Sequence, residues 1–158
     1  MRITLKQDIE APAEHVWAEI ADAPAFERQA LRRGVRLRRL DGGPGIGPGA
    51  GWQATFPWRG REREMRLAIE RMEPPGLVAT RIESGGLWGE STAEVLPLSR
   101  GATRLVLVVE IRARTLAARL LVQSLRLARG SLERRGRERL RAWARDVEAR
   151  WQRQRARG

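Results

Sequence analysis

Cysteine and tyrosine are absent from the 158 residues, and histidine occurs once, as His15. These absences remove whole classes of chemistry. Thiolate zinc, iron–sulfur clusters, cysteine nucleophiles and two-histidine metal sites all need soft sulfur or several imidazoles. Carboxylates alone remain as metal ligands, and neither a metal nor a cofactor is expected. Long apolar runs are also missing. The longest fully aliphatic stretch is Leu105 to Val109, whereas a membrane-spanning helix needs about 20 such residues. The opening MRITLKQDIE alternates polar and apolar residues and lacks the continuous apolar segment of a secretory signal. A cytoplasmic protein with no transmembrane segment is therefore expected, although a chain without cysteine is compatible with any redox compartment.

What is present is enough for a core. The chain is 42% hydrophobic and 32% charged, and at this length one ordinary domain over residues 1–158 is expected to bury roughly 70% of its unfolded surface. Lys and Arg number 31 against 19 Asp and Glu, a formal net charge of +12. The excess is not evenly spread. Residues 1–111 hold 16 basic and 15 acidic side chains, whereas residues 112–158 hold 15 and 4, a net of +11. Every basic residue except Lys6 is arginine, in the neutral part as well as in the tail. Arginine choice is thus a general bias of the chain, while its clustering after Ile111 is a physical fact that needs an account.

Periodicity organises the chain. Ile3, Leu5, Gln7 and Ile9 recur with period two and predict a strand. Pro12 suits a helix start, and Val16, Trp17 and Ile20 follow at helical spacing; Asp22-Ala23-Pro24 ends that helix and opens a second short one carrying Phe26 and Leu31. A strand over Val35 to Leu40 comes next. Residues 42–51, GGPGIGPGAG, hold six glycines and two prolines and form a loop. Four strand-like stretches follow, Gly51–Trp58, Arg61–Met72, Leu77–Ser84 and Leu87–Leu96, separated by Arg59-Gly60, Pro74-Pro75-Gly76 and Gly85-Gly86 as in an antiparallel meander. A last strand spans Ala102–Arg112. From Thr115, a suitable N-cap, to about Arg153 there is no proline, and Leu121, Leu125, Leu132, Leu140, Trp143, Val147 and Trp151 mark one long amphipathic helix. Gly130 and Gly136 interrupt it and signal a bend or a close approach.

The order strand, two short helices, six strands, long helix resembles the START-like superfamily, also called SRPBCC or Bet v 1-like. Residues 9–27, IEAPAEHVWAEIADAPAFE, look like its first strand and helix pair. GGPGIG at 42–47 sits where the plant allergen branch has a glycine-rich loop, and PLSRGATRLV at 97–106 is similar to the turn into the final strand. Within the superfamily the chain looks most like the bacterial polyketide cyclase/dehydrase-like group. The resemblance implies an α+β helix-grip fold, a seven-stranded antiparallel sheet curled around the long C-terminal helix. It also implies a cavity between them for an apolar or aromatic molecule, lipid- or polyketide-like.

Candidate walls for that cavity are Trp52, Phe56, Met65, Leu67, Thr80, Ile82, Trp88 and Ser91 on the sheet, and Leu121, Leu125 and Leu132 on the helix. Small residues at Gly89, Ser91, Ala93, Gly130 and Gly136 would leave volume. Such a lining, mostly apolar with few polar groups, is the usual composition of a ligand pocket, and the plainer reading of each residue is a filled core. The phase of Leu87 to Leu96 is open, because Trp88, Glu90, Thr92 and Ser91, Ala93, Val95 are both acceptable inward sets. Glu64, Glu90 and His15 are the candidate proton-transfer groups, since a desolvated carboxylate acquires a raised pKa; a surface or a satisfied histidine is the plainer reading of His15. Three functions are carried forward: a binder of a small hydrophobic ligand, a metal-independent cyclase or dehydratase, and weak docking of the arginine-rich helix on an anionic partner. Glu133/Arg137 and Asp146/Arg150 also fit a simply solvated helix face. No nucleic-acid motif accompanies the charge, so no specific nucleic acid is expected.

Overall fold

The computed structural model describes residues 1–43 and 45–158; Pro44 of the glycine-rich loop lies outside the described residues. The alternating N-terminus forms β1 (Arg2–Ile9), and the proline-marked segments form α1 (Ala13–Ile20) and α2 (Ala23–Arg32). Asp22 caps α2, its carboxylate accepting the Ala25 N–H at 3.0 Å. The meander is β2 (Arg36–Arg39), β3 (Gly51–Trp58), β4 (Arg61–Glu73), β5 (Leu77–Ser84), β6 (Leu87–Ser99) and β7 (Ala102–Ala113). All seven strands join in one antiparallel sheet, ordered β1-β7-β6-β5-β4-β3-β2.

Register decides which side chains share a face. One row across the sheet runs Leu5, Leu107, Ala93, Val78, Met72, and another runs Ile111, Gly89, Ile82, Leu67, Trp52. A bulge between Ile69 and Arg71 returns Met72 to the face that Ile69 occupies. This inner face is the one the C-terminal helices cover, because Leu5 lies against Gly136. The main core sits there, with Ile9, Val16, Val95, Leu105, Leu140, Ala144 and Val147 all buried between β1, β7, β6 and the helices. Thr103 is fully buried within it and donates its hydroxyl to the Ala11 carbonyl at 2.7 Å, so the polar group is not left orphaned.

The single helix expected over 115–153 is two. Thr115 caps α3 (Leu116–Leu127), accepting the Ala118 N–H at 3.1 Å. The chain then breaks at Ala128, whose N–H reaches the Ser124 and Leu125 carbonyls, and α4 runs on from Arg129 to Arg157. The break precedes Gly130, around which a Cβ would meet open space, whereas a Cβ at Gly136 would come within 2.7 Å of Leu5. Close approach therefore accounts for Gly136, and the bend falls two residues before Gly130. No helix among the described residues is long and apolar enough to cross a membrane.

Candidate functional site: an apolar cleft on the inner sheet face

Beside the main core lies a second, thinner cluster in which Ala23, Ala50, Trp52 and Ile69 are buried. A cleft of about 160 Å³ opens here, walled by Ile20 and Ala21 at the end of α1, Phe26 of α2, Ile46 of the glycine-rich loop, and Trp52, Leu67, Ile69, Met72, Val78 and Thr80 of the sheet. Among the described lining residues, polar groups come from the Thr80 hydroxyl and the Trp52 indole N–H. The indole of Trp52 is held from three sides: its N–H donates to Glu27 Oε1 at 3.0 Å, Phe26 meets it edge-on at 5.6 Å, and the Arg39 guanidinium lies 4.8 Å from the ring centre. Asp41 and the Gly45 carbonyl in turn hold Arg39. The Arg39 hydrogen bond keeps the Asp41 carboxyl below its usual range. A fixed indole gives a rigid wall for an aromatic or apolar guest.

The same sheet face continues past the cleft through Ala54 and Met65 to Phe56 and Arg63, which are register partners. Arg63 is the polar feature that the sequence reading missed. Its guanidinium lies 5.3 Å from the Trp58 ring centre, and its Nε is buried without a hydrogen-bond partner. In REREMRL the candidate at the cavity is Glu64, which has the opposite phase to Met65. Counting back by twos from Met65 would have placed Arg63 indoors.

The structure sorts the candidates. Trp52, Leu67 and Thr80 line the cleft. Phe56, Met65, Ile82 and Ser91 share its sheet face, half-buried, outside the cleft's own lining. Leu121, Leu125 and Leu132 are half-buried on the C-terminal helices but do not wall the cleft; α1, α2 and the loop take that place because α4 packs over β1 at the sheet edge. The register of β6 settles its phase: Ser91 pairs with Val109 and faces inward, so Trp88 and Glu90 lie on the outer face. There Trp88 carries Arg112 and Arg114 at 5.3 and 4.8 Å from its ring. Glu64 is exposed on the outer face of β4. His15 packs between α1 and α4, with Nε2 3.3 Å from the Val147 carbonyl oxygen and 3.5 Å from Glu19, and its ring 5.1 Å from Trp151. Arg150 holds that Glu19 carboxylate with two hydrogen bonds of 2.8 Å. None of the three proton-transfer candidates enters the cleft. The volume expected at Gly89 and Gly136 is also taken, by the Glu110 carbonyl and by Leu5. Among the described residues no group of His, Cys, Asp or Glu is arranged to hold a metal ion.

A seven-stranded antiparallel sheet that grips a C-terminal helix pair, with two short helices closing a cleft on its inner face, defines the helix-grip class. The chain belongs to the family described as polyketide cyclase / dehydrase and lipid transport, whose model matches residues 1–148. Among solved structures it is similar to the Zhui aromatase/cyclase of Streptomyces sp. R1128, at 16% identity over 95% of this chain and 94% of that one, with a TM-score of 0.67. Norcoclaurine synthase of Thalictrum flavum, solved with dopamine and hydroxybenzaldehyde, matches at 16% identity over 84% and 87% of the two chains, TM-score 0.57. Ara h 8.0201 matches at 10% identity over 82% and 90%, TM-score 0.58. At these identities the likeness is one of fold. No curated protein matches the chain in sequence.

Proposed function

We propose that this protein binds an apolar or aromatic small molecule, lipid- or polyketide-like, on the inner face of its sheet, with Arg63 receiving an acidic or carbonyl oxygen of the guest. The observation that carries the reading is the apolar cleft walled by Trp52, Leu67, Ile69, Met72 and Val78, next to inner-face side chains that the fold leaves half-buried. Burying a guest there gains about 25 cal/mol per Å² of apolar area before ordering costs. A guest oxygen would pair with the Arg63 guanidinium, whose buried Nε has no hydrogen-bond partner. Membership of a family that includes lipid transport and cyclisation supports the same class of ligand.

A cofactor-independent cyclase or dehydratase remains the alternative within the family. Glu64, Glu90 and His15 stand outside the cleft and, among the described residues, no titratable side chain lines it, so the geometry favours binding over acid–base chemistry. The test is a fluorescence titration of the folded protein with two naphthalene probes, one neutral (N-phenyl-1-naphthylamine) and one carrying a sulfonate (1-anilinonaphthalene-8-sulfonate). Both are expected to saturate, and Arg63→Met should weaken the sulfonate probe about tenfold while leaving the neutral one within about twofold, a difference near 1.4 kcal/mol. Failure of either probe to saturate overturns the binding reading. Equal effects of the substitution on both remove Arg63 from it.

A further inference from the structure

The helix α3 has two apolar faces. Towards the sheet it buries Ala118 and Val122 and half-buries Leu121 and Leu125. Away from it, Leu116, Leu120 and Leu127 are 73%, 60% and 92% exposed. At 3.6 residues per turn these three side chains fall within about 40° of one another and span about 16 Å of helix, so they share one exposed stripe, with Gln123 between Leu120 and Leu127. A helix that is apolar on both sides needs a second apolar environment.

The charge beside the stripe says which one. α3 contains no acidic residue, and Arg119 and Arg126 occupy the flank between the leucine stripe and the buried face. They line a groove of about 340 Å³ together with Met1, Ile111, Ala113, Val122 and Gln123, where the chain also passes at Arg112, whose guanidinium stacks on Trp88 of the outer face. The groove thus combines arginines with apolar side chains, and among the described residues no carboxylate lines it.

We propose that α3 is a docking helix for an anionic phospholipid bilayer. Leu116, Leu120 and Leu127 enter the boundary between headgroups and acyl chains, and Arg119 and Arg126 meet lipid phosphates at the groove. Interfacial helices place apolar tips about 5–10 Å below the headgroup level with guanidinium groups reaching back up to it, which is the vertical order found here. An acidic protein surface would answer the arginines but leave the leucines without an apolar partner. The free tail after Trp151 carries Arg153, Arg155 and Arg157 and no large apolar side chain, so it adds attraction without insertion. The inference goes beyond ligand binding in the cleft and does not rest on it.

The test is vesicle flotation of the full chain at physiological salt. Pure phosphatidylcholine is compared with an equal mixture of phosphatidylcholine and phosphatidylglycerol. Binding is expected to the mixture only. L116Q/L120Q/L127Q should lower it at least about tenfold, R119Q/R126Q should lower it several-fold, and deletion of residues 152–158 should lower it less than either. The three leucines are exposed, so the melting temperature and the neutral-probe titration of L116Q/L120Q/L127Q are expected to match the parent, which separates loss of docking from loss of the cleft. No binding by the parent, or parental binding by the leucine variant, overturns the proposal. So does displacement from vesicles by a monomeric short-chain phosphatidylglycerol, which would make the groove a soluble-ligand site.

Discussion

Gly89, Gly130 and Gly136 look alike on paper and meet quite different surroundings. A Cβ on Gly89 would stand 2.0 Å from the Glu110 carbonyl oxygen and 3.2 Å from Ile111 Cα, both backbone atoms of the adjoining strand. Relief requires prising β6 from β7, so Gly89→Ala is expected to cost about 1–3 kcal/mol. On Gly136 the obstacle at 2.7 Å is Leu5 Cδ1, the end of a rotatable side chain. Its repacking offsets the helical advantage of alanine, about 1 kcal/mol, and Gly136→Ala should remain within about 1 kcal/mol of the parent. Gly130 has open space, and Gly130→Ala should gain up to about 1 kcal/mol. Urea midpoints of the three variants check the order, and a Gly89→Ala protein as stable as the parent would refute this account of the site. The sequence signals a bend or a close approach at Gly130 and Gly136 without naming the partner, because Leu5 and Gly136 meet only through the folded sheet.

Strand β1 is tied to β7 by ladder bonds and by a surface ion pair in which Arg104 donates to both Asp8 oxygens, at 2.8 and 3.2 Å. That hydrogen bonding holds the Asp8 carboxyl below its ordinary range. A lowered carboxyl pKa stabilises the fold above the unfolded value of about 4 and ceases to do so as pH falls through the folded one. Asp8→Asn should therefore melt slightly below the parent at neutral pH, with the gap closing in acid; a gap that persists at the lowest pH would exclude the pair as its source. The strands themselves were legible because period-two alternation and Gly or Pro turns coincide. The phase of β6 was not, since Trp88 and Glu90 make as plausible an inward set as Ser91 and Ala93, and only pairing with β7 decides between them. The interruption near Gly130 is legible, but its exact place is not, since the break lies at Ala128, a residue with high helix propensity. The roof of the cleft was misassigned because helical periodicity tells that Leu121 and Leu125 face the protein but not which strand lies beneath them.

The family was readable from the order of elements over nearly the whole chain, and the site only in part, because family membership places a cleft without assigning its walls. Charge and packing are divided along the molecule in the same way. The residues after Trp151 are exposed, so a chain ending there should melt within a few degrees of the parent, whereas one ending at Arg139 loses Leu140, Ala144 and Val147 from the core and should not fold; thermal melting by circular dichroism distinguishes the two, and a cooperative transition in the shorter chain would contradict this packing. The pairing of Arg2 to Ile9 with Glu110 to Thr103 has a consequence for biosynthesis. The first strand to leave the ribosome must wait for the seventh, about 5–20 s at ordinary elongation rates, with Ile3, Leu5 and Ile9 uncovered. A sheet closed by the strands first and last in the chain folds late and slowly, so β1 of a nascent chain is expected to stay unpaired until β7 emerges.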